Sequence, residues 1–449
     1  MADFAAVPDE RSLARARRLR AAVATSALSK VSSVAYQIVA VPVIIASVGS
    51  NGYSQFAVVL AAFGWLGPLF FGLGSAVTER IASDATRPIS AQTRGTFMTA
   101  LSVTGALLGI FFLGGVLLFL SRPAGQPDET ALLLAGLATG LVVGGGVFDS
   151  ALLGLQLSYV TNLLAFASSL VAIAATVAAA VIAPTVGAMV LATLGPVVLA
   201  KAISGFMLRR AEPGLWGRTR DIAWRAAPRI AGRGLVFAAI SFSSFLSLDA
   251  GLLVVAARLG TDEVPAAALV LRVLPLVLSI VAIIMVPLWP AIAEAAKDGD
   301  VHWIARAGGR AAALVAAYAV TAALVVVVTG EKVVAIWTGG RIPVSFDMLV
   351  AAGGLIITFS FENVTQTLLF GLGRAGGLAA VLLFRSALSL ILVWVLAGMV
   401  GQEAALAGPI IAALLTSSWL LPLLVVRGVR AAARLQPGHL GRRPGGNVG

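Results

Sequence analysis

Twelve long apolar runs dominate this sequence, and each is long enough to form a helix that crosses a lipid bilayer. Such a helix needs about 20 mostly apolar residues. Charged residues are only 12% of the 449 residues, about half the share in a soluble domain, so they cannot cover a water-facing surface. The sequence therefore predicts an all-α polytopic membrane protein with about 12 transmembrane helices. The runs lie near residues 21–48, 54–77, 96–120, 131–155, 159–183, 187–207, 230–257, 265–293, 308–329, 347–371, 377–400 and 404–426.

The basic residues are distributed unevenly among the loops between these runs. Lys and Arg total 32, against 20 acidic residues. With the N-terminus in the cytoplasm, the inner segments hold 24 of them, the outer loops hold 4, and the remaining 4 lie within spans. An excess of positive charge marks cytoplasmic loops. The pattern predicts that both termini are cytoplasmic, and it accounts for the basic character without a nucleic-acid partner.

The longest charged inner loop divides the spans into two groups of six. Two short internal similarities support a repeated six-helix unit, since Val48-Gly49 matches Leu259-Gly260 and the end of the fourth span resembles the end of the tenth. Repeats with a substrate site between them recur among transporters. The predicted segments are a basic cytoplasmic N-terminus (1–20), an N-terminal six-helix lobe (21–207), a cytoplasmic inter-lobe loop (208–229), a C-terminal six-helix lobe (230–426) and a basic cytoplasmic tail (427–449).

Several kinds of chemistry are excluded by residues that the chain lacks. It has no cysteine and two histidines, so disulfides, thiol redox chemistry and Cys- or His-rich metal sites are not expected. The glycine cluster within 140–146 lies inside a predicted span and lacks the Lys-Ser/Thr of a phosphate-binding loop. We therefore expect no metal or nucleotide cofactor, and we attribute the glycines to close helix packing.

Three short segments carry a resemblance to a known family. They are Phe71-Gly72-Leu73-Gly74 with Glu79-Arg80, Leu248-Asp249 with Leu259-Gly260 and Arg272, and Gly371-Leu372-Gly373-Arg374. These segments resemble the polysaccharide transporter family, the oligosaccharide flippases of the O-antigen type within the multidrug/oligosaccharidyl-lipid/polysaccharide exporter superfamily. The chain departs from the family after the seventh span, where Pro265 and Ala267 stand in place of the frequent Gly and Tyr.

This resemblance implies two six-helix lobes that form a V-shaped central cavity, opening alternately to either side of the cytoplasmic (inner) membrane. It implies a substrate in which an oligosaccharide is joined to a polyprenyl pyrophosphate. The expected partners are then the lipid-linked oligosaccharide, membrane lipid, and the polysaccharide polymerase and glycosyltransferases that act on the same product.

One polar stripe is expected on the first span, where Ser26, Lys30, Ser33 and Gln37 recur at helical spacing. A charge within the bilayer costs about 2.5–3.5 kcal/mol at the helix centre on insertion scales, so it should face a partner or water. Lys30 and Gln37 are therefore candidates for binding a pyrophosphate and its sugars. The alternative is that Lys30 extends to the headgroups of the inner leaflet.

Two carboxylate–arginine pairs are expected in the C-terminal half. Asp249 and Arg272 lie 13 and 10 residues from the turn that joins their spans, and Glu362 and Arg385 lie at the same distances from the next such turn. Each pair thus differs in depth by about one helical turn. Glu362 also shares a polar face with Gln366. We expect these residues either to line the substrate cavity or to form structural ion pairs that hold helices together.

Asp149 and Lys201 are the other charged residues inside predicted spans. Each lies near the inner end of its span, the fourth and the sixth. We expect Asp149 to be interfacial and Lys201 to extend to the headgroups.

Three classes of function compete for this sequence. The expected function is a flippase that moves a lipid-linked oligosaccharide to the outer leaflet by alternating access. The alternatives are a cation- or proton-coupled small-molecule (multidrug) exporter and a lipid II flippase of the same superfamily. A membrane enzyme is disfavoured, because the outer loops are short and no soluble nucleotide-sugar domain is present.

Overall fold

The computed structural model describes residues 10–84, 89–120, 128–218, 221–222, 224, 227–285 and 288–433. Within these ranges every regular element is a helix, as predicted. Several of these helices are long and apolar enough to cross a membrane, so the chain is a multi-pass membrane protein. The fifteen α-helices are α1 (Glu10–Phe63), α2 (Leu66–Ser83), α3 (Ala91–Leu120), α4 (Asp128–Gly154), α5 (Ser158–Ile182), α6 (Val186–Ala211), α7 (Ala227–Ser247), α8 (Asp249–Leu259), α9 (Pro265–Met285), α10 (Leu288–Lys297), α11 (Val301–Thr338), α12 (Phe346–Gly371), α13 (Ala375–Val400), α14 (Ala404–Leu415) and α15 (Ser417–Ala433).

The helix boundaries agree with about 12 membrane crossings. Nine helical segments of the described residues are long and apolar enough to cross a bilayer, and two of these, Ala24–Pro68 and Ala375–Leu415, have 45 and 41 residues. At 1.5 Å per residue each exceeds 60 Å, about twice the hydrocarbon thickness, so each contains two crossings. The first bends at Gly49 (φ 76°, ψ 178°) and the second turns at Gly401 (φ 70°).

The chain divides into two compact units, Met1–Ala238 and Ala239–Gly449. The division lies within α7, so the first unit includes the inter-lobe loop proposed at 208–229 together with the beginning of α7.

The first unit is organised around α4, which packs against the other five long helices that precede α7. An apolar cluster of the described residues joins α2, α3, α4 and the C-terminal end of α6, with Phe97, Leu152 and Leu208 fully buried. A buried hydrogen bond of 2.7 Å between the hydroxyls of Tyr36 and Thr193 ties α1 to α6.

The connection after α6 folds back onto this cluster. Leu215 is fully buried, Trp216 packs against the rings of Phe97 and Phe148, and Arg94 Nε donates to the carbonyl of Gly214 at 3.0 Å. The first part of the inter-lobe loop is therefore fixed to the first unit.

The second unit is organised in the same way around α12, which packs against α9, α10, α11, α13, α14 and α15. Its outer connections are joined by side-chain hydrogen bonds, since Gln402 Oε1 accepts from the backbone of Ala267 at 3.2 Å and Ser345 Oγ donates to Glu403 Oε1 at 2.9 Å. Ser345 also caps α12 by accepting from the backbone of Met348.

Candidate functional site

Glu362 and Arg385 form an ion pair in the interior of the second unit. Arg385 Nη1 lies 2.9 Å from Glu362 Oε2, and each side chain is 2% exposed. The two residues lie on α12 and α13, which are joined by a short turn. Their similar depth on consecutive helices predicted this pair, and the structure confirms it.

The arginine of this pair contacts the end of an interrupted helix. α7 ends at Ser247, Leu248 is irregular (φ −113°, ψ −66°), and α8 begins at the next residue. Arg385 Nη2 donates to Ser247 Oγ at 2.6 Å, and the neighbouring Ser386 Oγ donates to the carbonyl of Ser243 at 2.8 Å. The inner part of the seventh span is thus linked to α13 by polar contacts.

The carboxylate contacts a second interrupted helix. α14 ends before Thr416 (φ −131°, ψ −79°), and α15 begins at Ser417. Ser417 Oγ donates to Glu362 Oε1. Both helix interruptions of the second unit therefore place a buried serine against the same ion pair.

These contacts favour a structural role for the pair. Burying an ion costs several kcal/mol, and the attraction between partners repays this only when their remaining hydrogen-bonding capacity is also satisfied. Both oxygens of Glu362 are engaged, and the guanidinium carbon of Arg385 lies 5.1 Å from the ring centroid of Phe359. A substrate would have to displace an existing partner to reach either oxygen of Glu362, whereas Arg385 Nε is buried without a hydrogen-bond partner among the described residues.

Asp249 and Arg272 interact electrostatically but do not form a salt bridge within 4.0 Å. Asp249 is exposed at the first turn of α8, and Arg272 is half-buried on α9. The expected contact rested on depth along the helices, and depth does not set the direction in which each side chain points around its helix. Asp249 consequently presents an available carboxylate on the second unit.

The polar stripe predicted on the first span is present on α1. Lys30 and Ser33 are exposed, and Ser26 and Gln37 are half-buried. Among the described residues Lys30 has no salt-bridge partner, and Gln37 Oε1 is buried without a hydrogen bond. Lys30 is thus an available cation on the first unit.

The last predicted site residue, Gln366, lies one turn after Glu362 on α12 and is half-buried. It shares the helix with the ion pair, but none of the hydrogen bonds of the pair involves it.

The structure reveals a further ion pair that the sequence did not indicate. Lys201 Nζ on α6 contacts Asp149 Oδ2 on α4, and their side chains are 24% and 25% exposed. The stem of Lys201 passes close above Gly145, where any larger residue would collide with it. Lys201 was expected to extend to the headgroups, whereas it pairs with Asp149 because α4 and α6 are neighbours in space although α5 lies between them in sequence.

Within the described ranges, no three His, Cys, Asp or Glu side chains come together as a metal site would require. Among the predicted site residues, Lys30 of the first unit and Asp249 of the second are exposed charged groups without a salt-bridge partner in that part of the chain.

Comparisons with known proteins identify the fold. No protein-family model and no curated protein matches this sequence. A multidrug resistance MATE family transporter of the MOP superfamily in an inward-facing conformation matches with a TM-score of 0.72 and 14% identity, over 90% of this chain and 95% of that one. The same class of transporter in an outward-facing conformation gives a TM-score of 0.61 and 14% identity, over 93% and 96%.

A third similar structure is a MOP superfamily transporter from Pyrococcus furiosus. The reverse polarity of its binding pocket suggests a different function for that protein. It matches with a TM-score of 0.63 and 14% identity, over 94% of this chain and 96% of that one. The chain therefore has the fold of MATE transporters of the MOP superfamily. The resemblance to this superfamily is supported at the level of the fold, whereas the polysaccharide transporter family is not singled out.

Proposed function

We propose that this protein is a secondary transporter that exports small organic molecules across the cytoplasmic membrane by alternating access. The observation that carries this proposal is the fold, which is shared with multidrug MATE transporters over nine-tenths of both chains. The fold by itself does not select a substrate. The substrate class is inferred from the charged groups that remain available.

The available carboxylate of the second unit supports an organic cation as substrate. Glu362 is engaged by Arg385 and Ser417, whereas Asp249 is exposed and has no partner at salt-bridge distance among the described residues. A carboxylate that no cationic side chain neutralises at salt-bridge distance attracts a cation. Asp249 is therefore the residue expected to bind the substrate cation.

The test is export of a fluorescent organic cation, such as ethidium, from cells that lack their own multidrug exporters. Expression of the protein should lower ethidium accumulation, and Asp249→Asn should abolish this effect at unchanged protein abundance. Asp262→Asn is the matched control, because Asp262 is an exposed carboxylate in the turn after α8. Equal activity of the two variants would exclude Asp249 from the site, and accumulation unaffected by the wild type would contradict a cation exporter.

A second candidate function is the expected flippase for a lipid-linked oligosaccharide. The observation that favours it is Lys30, an exposed cation within a span that has no acidic partner among the described residues. The pocket of reverse polarity described for the Pyrococcus furiosus transporter gives a precedent within this fold. Outward movement of a pyrophosphate is favoured by an inside-negative potential, by about 2.3 kcal/mol per charge per 100 mV. The polymerase and glycosyltransferases would then be its functional partners.

This candidate is tested in proteoliposomes that carry a fluorescent polyprenyl-pyrophosphate oligosaccharide. Transfer between leaflets is measured as the fraction of fluorophore that a membrane-impermeant reductant can reach. Lys30→Gln should reduce the transfer rate if Lys30 binds the pyrophosphate, and Lys332→Gln, which removes an exposed lysine of α11, should not. Transfer equal to that in protein-free liposomes would reject the flippase.

A further inference from the structure

We propose that the inner end of α6 is a binding site for an anionic phospholipid, with Arg210 contacting the headgroup phosphate. Leu199, Ile203, Phe206 and Arg210 follow one another at spacings of four, three and four residues, so they lie on one face of the helix. This proposal does not depend on which molecule the protein transports.

The apolar part of this face is exposed on the first unit. Leu199, Ile203 and Phe206 are 63%, 46% and 56% exposed, whereas Ser204 and Leu208 on the opposite face are buried. From Leu199 to Arg210 the helix rises about 16 Å, close to the depth of one leaflet of a hydrocarbon core about 30 Å thick. An acyl chain lying along this strip would bring its headgroup to the level of Arg210.

The guanidinium at the end of the strip is oriented and free to bind. The guanidinium carbon of Arg210 lies 4.5 Å from the ring centroid of Phe206, and that of the adjacent Arg209 lies 6.0 Å from the ring of Trp216. An aromatic face holds a guanidinium without using its N–H donors. Among the described residues neither arginine has a carboxylate at salt-bridge distance, so the donors remain for a phosphate.

Within residues 212–218, the first described part of the connection after α6, the chain turns away from this face. Leu215 is buried in the first unit and Trp216 packs against α3 and α4, so the connection turns away toward the core while Arg210 stays exposed. The distribution of Lys and Arg assigns this end of α6 to the cytoplasmic side, where anionic lipids attract basic residues. Charge, depth and an apolar strip thus agree on one ligand, a phospholipid of the inner leaflet with a net negative headgroup.

The test is native mass spectrometry of the purified full chain with added phosphatidylglycerol or phosphatidylcholine of identical acyl chains. The wild type should retain phosphatidylglycerol in preference to phosphatidylcholine. Arg210→Gln should weaken phosphatidylglycerol binding about five-fold, which is the effect of one basic residue near a membrane surface. Phe206→Ala should weaken it as well, because the ring both orients Arg210 and contacts the acyl chain.

Arg218→Gln is the matched control, since it removes an equally exposed arginine that lies beyond α6. Glycerol phosphate is added in a parallel experiment, and it should not displace the lipid, because it lacks the acyl chains. Equal binding of the two lipids by the wild type, or equal losses in Arg210→Gln and Arg218→Gln, would overturn the proposal. Displacement by glycerol phosphate would also overturn it, by showing a site for soluble phosphate. If Arg210 only stabilises the end of α6, Arg210→Gln would change the thermal stability without changing the preference between the two lipids. That result would also overturn the proposal.

Discussion

At the scale of single residues, the degree of burial separates the two ion pairs. Glu362 and Arg385 are 2% exposed and have serine partners on both charges, whereas Asp149 and Lys201 are about one-quarter exposed. The electrostatic consequence of removing one partner depends on how much solvent can reach the charge that remains. The two pairs should therefore respond differently to the same kind of substitution.

We expect Glu362→Gln to destabilise the protein by about 3–5 kcal/mol, because it leaves the charge of Arg385 buried and unpaired. Combining it with Arg385→Gln should restore most of the loss. The measurement is thermal unfolding of the purified protein in detergent, together with its abundance in the membrane. A double variant as unstable as the single variant would show that the serine contacts, not the charge pair, dominate. Restored abundance without restored export would show that Arg385 also contacts the substrate.

For the second pair we expect a smaller effect from Asp149→Asn, about 1–2 kcal/mol, since Lys201 can be partly solvated when its partner is removed. The same unfolding experiment checks the order of the two effects. The matched control is Asp221→Asn, which removes a carboxylate outside the membrane-spanning helices. If Asp149→Asn destabilises the protein as much as Glu362→Gln does, water is excluded from the Asp149–Lys201 pair as completely as from the Glu362–Arg385 pair.

At the scale of elements, interruptions of helices decide where polar groups lie. The serines next to the interruptions at Leu248 and Thr416 both contact the ion pair. The bend at Gly49 divides the longest described helix at the point where the first span ends. Irregular backbone inside a membrane protein needs hydrogen-bond partners from neighbouring groups, and Ser386 Oγ supplies one to the carbonyl of Ser243 near the first of these points.

We expect Gly49→Ala to destabilise the protein by about 1–3 kcal/mol, because a φ of 76° with a ψ of 178° is accessible almost only to glycine. No atom lies within 4 Å of the position that the added methyl group would occupy, so backbone strain is the whole effect. Gly105→Ala in α3 is the control, since it also has open space but a helical backbone, and it should be neutral or slightly stabilising. The midpoint of thermal unfolding compares the two. An unchanged midpoint for Gly49→Ala would mean that the bend is not rigid.

At the scale of the whole molecule, the orientation in the membrane rests on the distribution of Lys and Arg. Trp216 would be a poor reporter for it, since its side chain packs against Phe97 and Phe148. Arg218 is exposed two residues further along the same connection, and Asp262 is exposed in a turn assigned to the opposite side.

We expect a cysteine at Arg218 to be protected from an impermeant thiol reagent in intact cells and a cysteine at Asp262 to be labelled. The chain contains no cysteine of its own, so each variant reports one position. Permeabilised cells provide the control for reactivity, because both positions should then be labelled. Labelling of Arg218→Cys in intact cells would show that the protein has the opposite orientation in the membrane.

Much of the fold could be predicted from the sequence, and the reason is that the bilayer imposes one length on every crossing. The apolar runs locate the helices, and the rise of 1.5 Å per residue sets depth along each of them. Depth was sufficient to pair Glu362 with Arg385, because the two lie on consecutive helices joined by a short turn. It was insufficient for Asp249 and Arg272, because depth does not set the direction in which each side chain points around its helix.

Depth and order along the chain are thus what the sequence determined by itself. The tertiary structure alone decided which helices that are distant in sequence become neighbours, and therefore that Lys201 meets Asp149 and that Ser247 and Ser417 reach one ion pair. It also decided that Lys30 and Asp249 remain exposed. The physical reason is that the hydrophobic pattern constrains how deep a residue lies but only weakly constrains helix rotation and partner choice, which depend on the packing of all helices together.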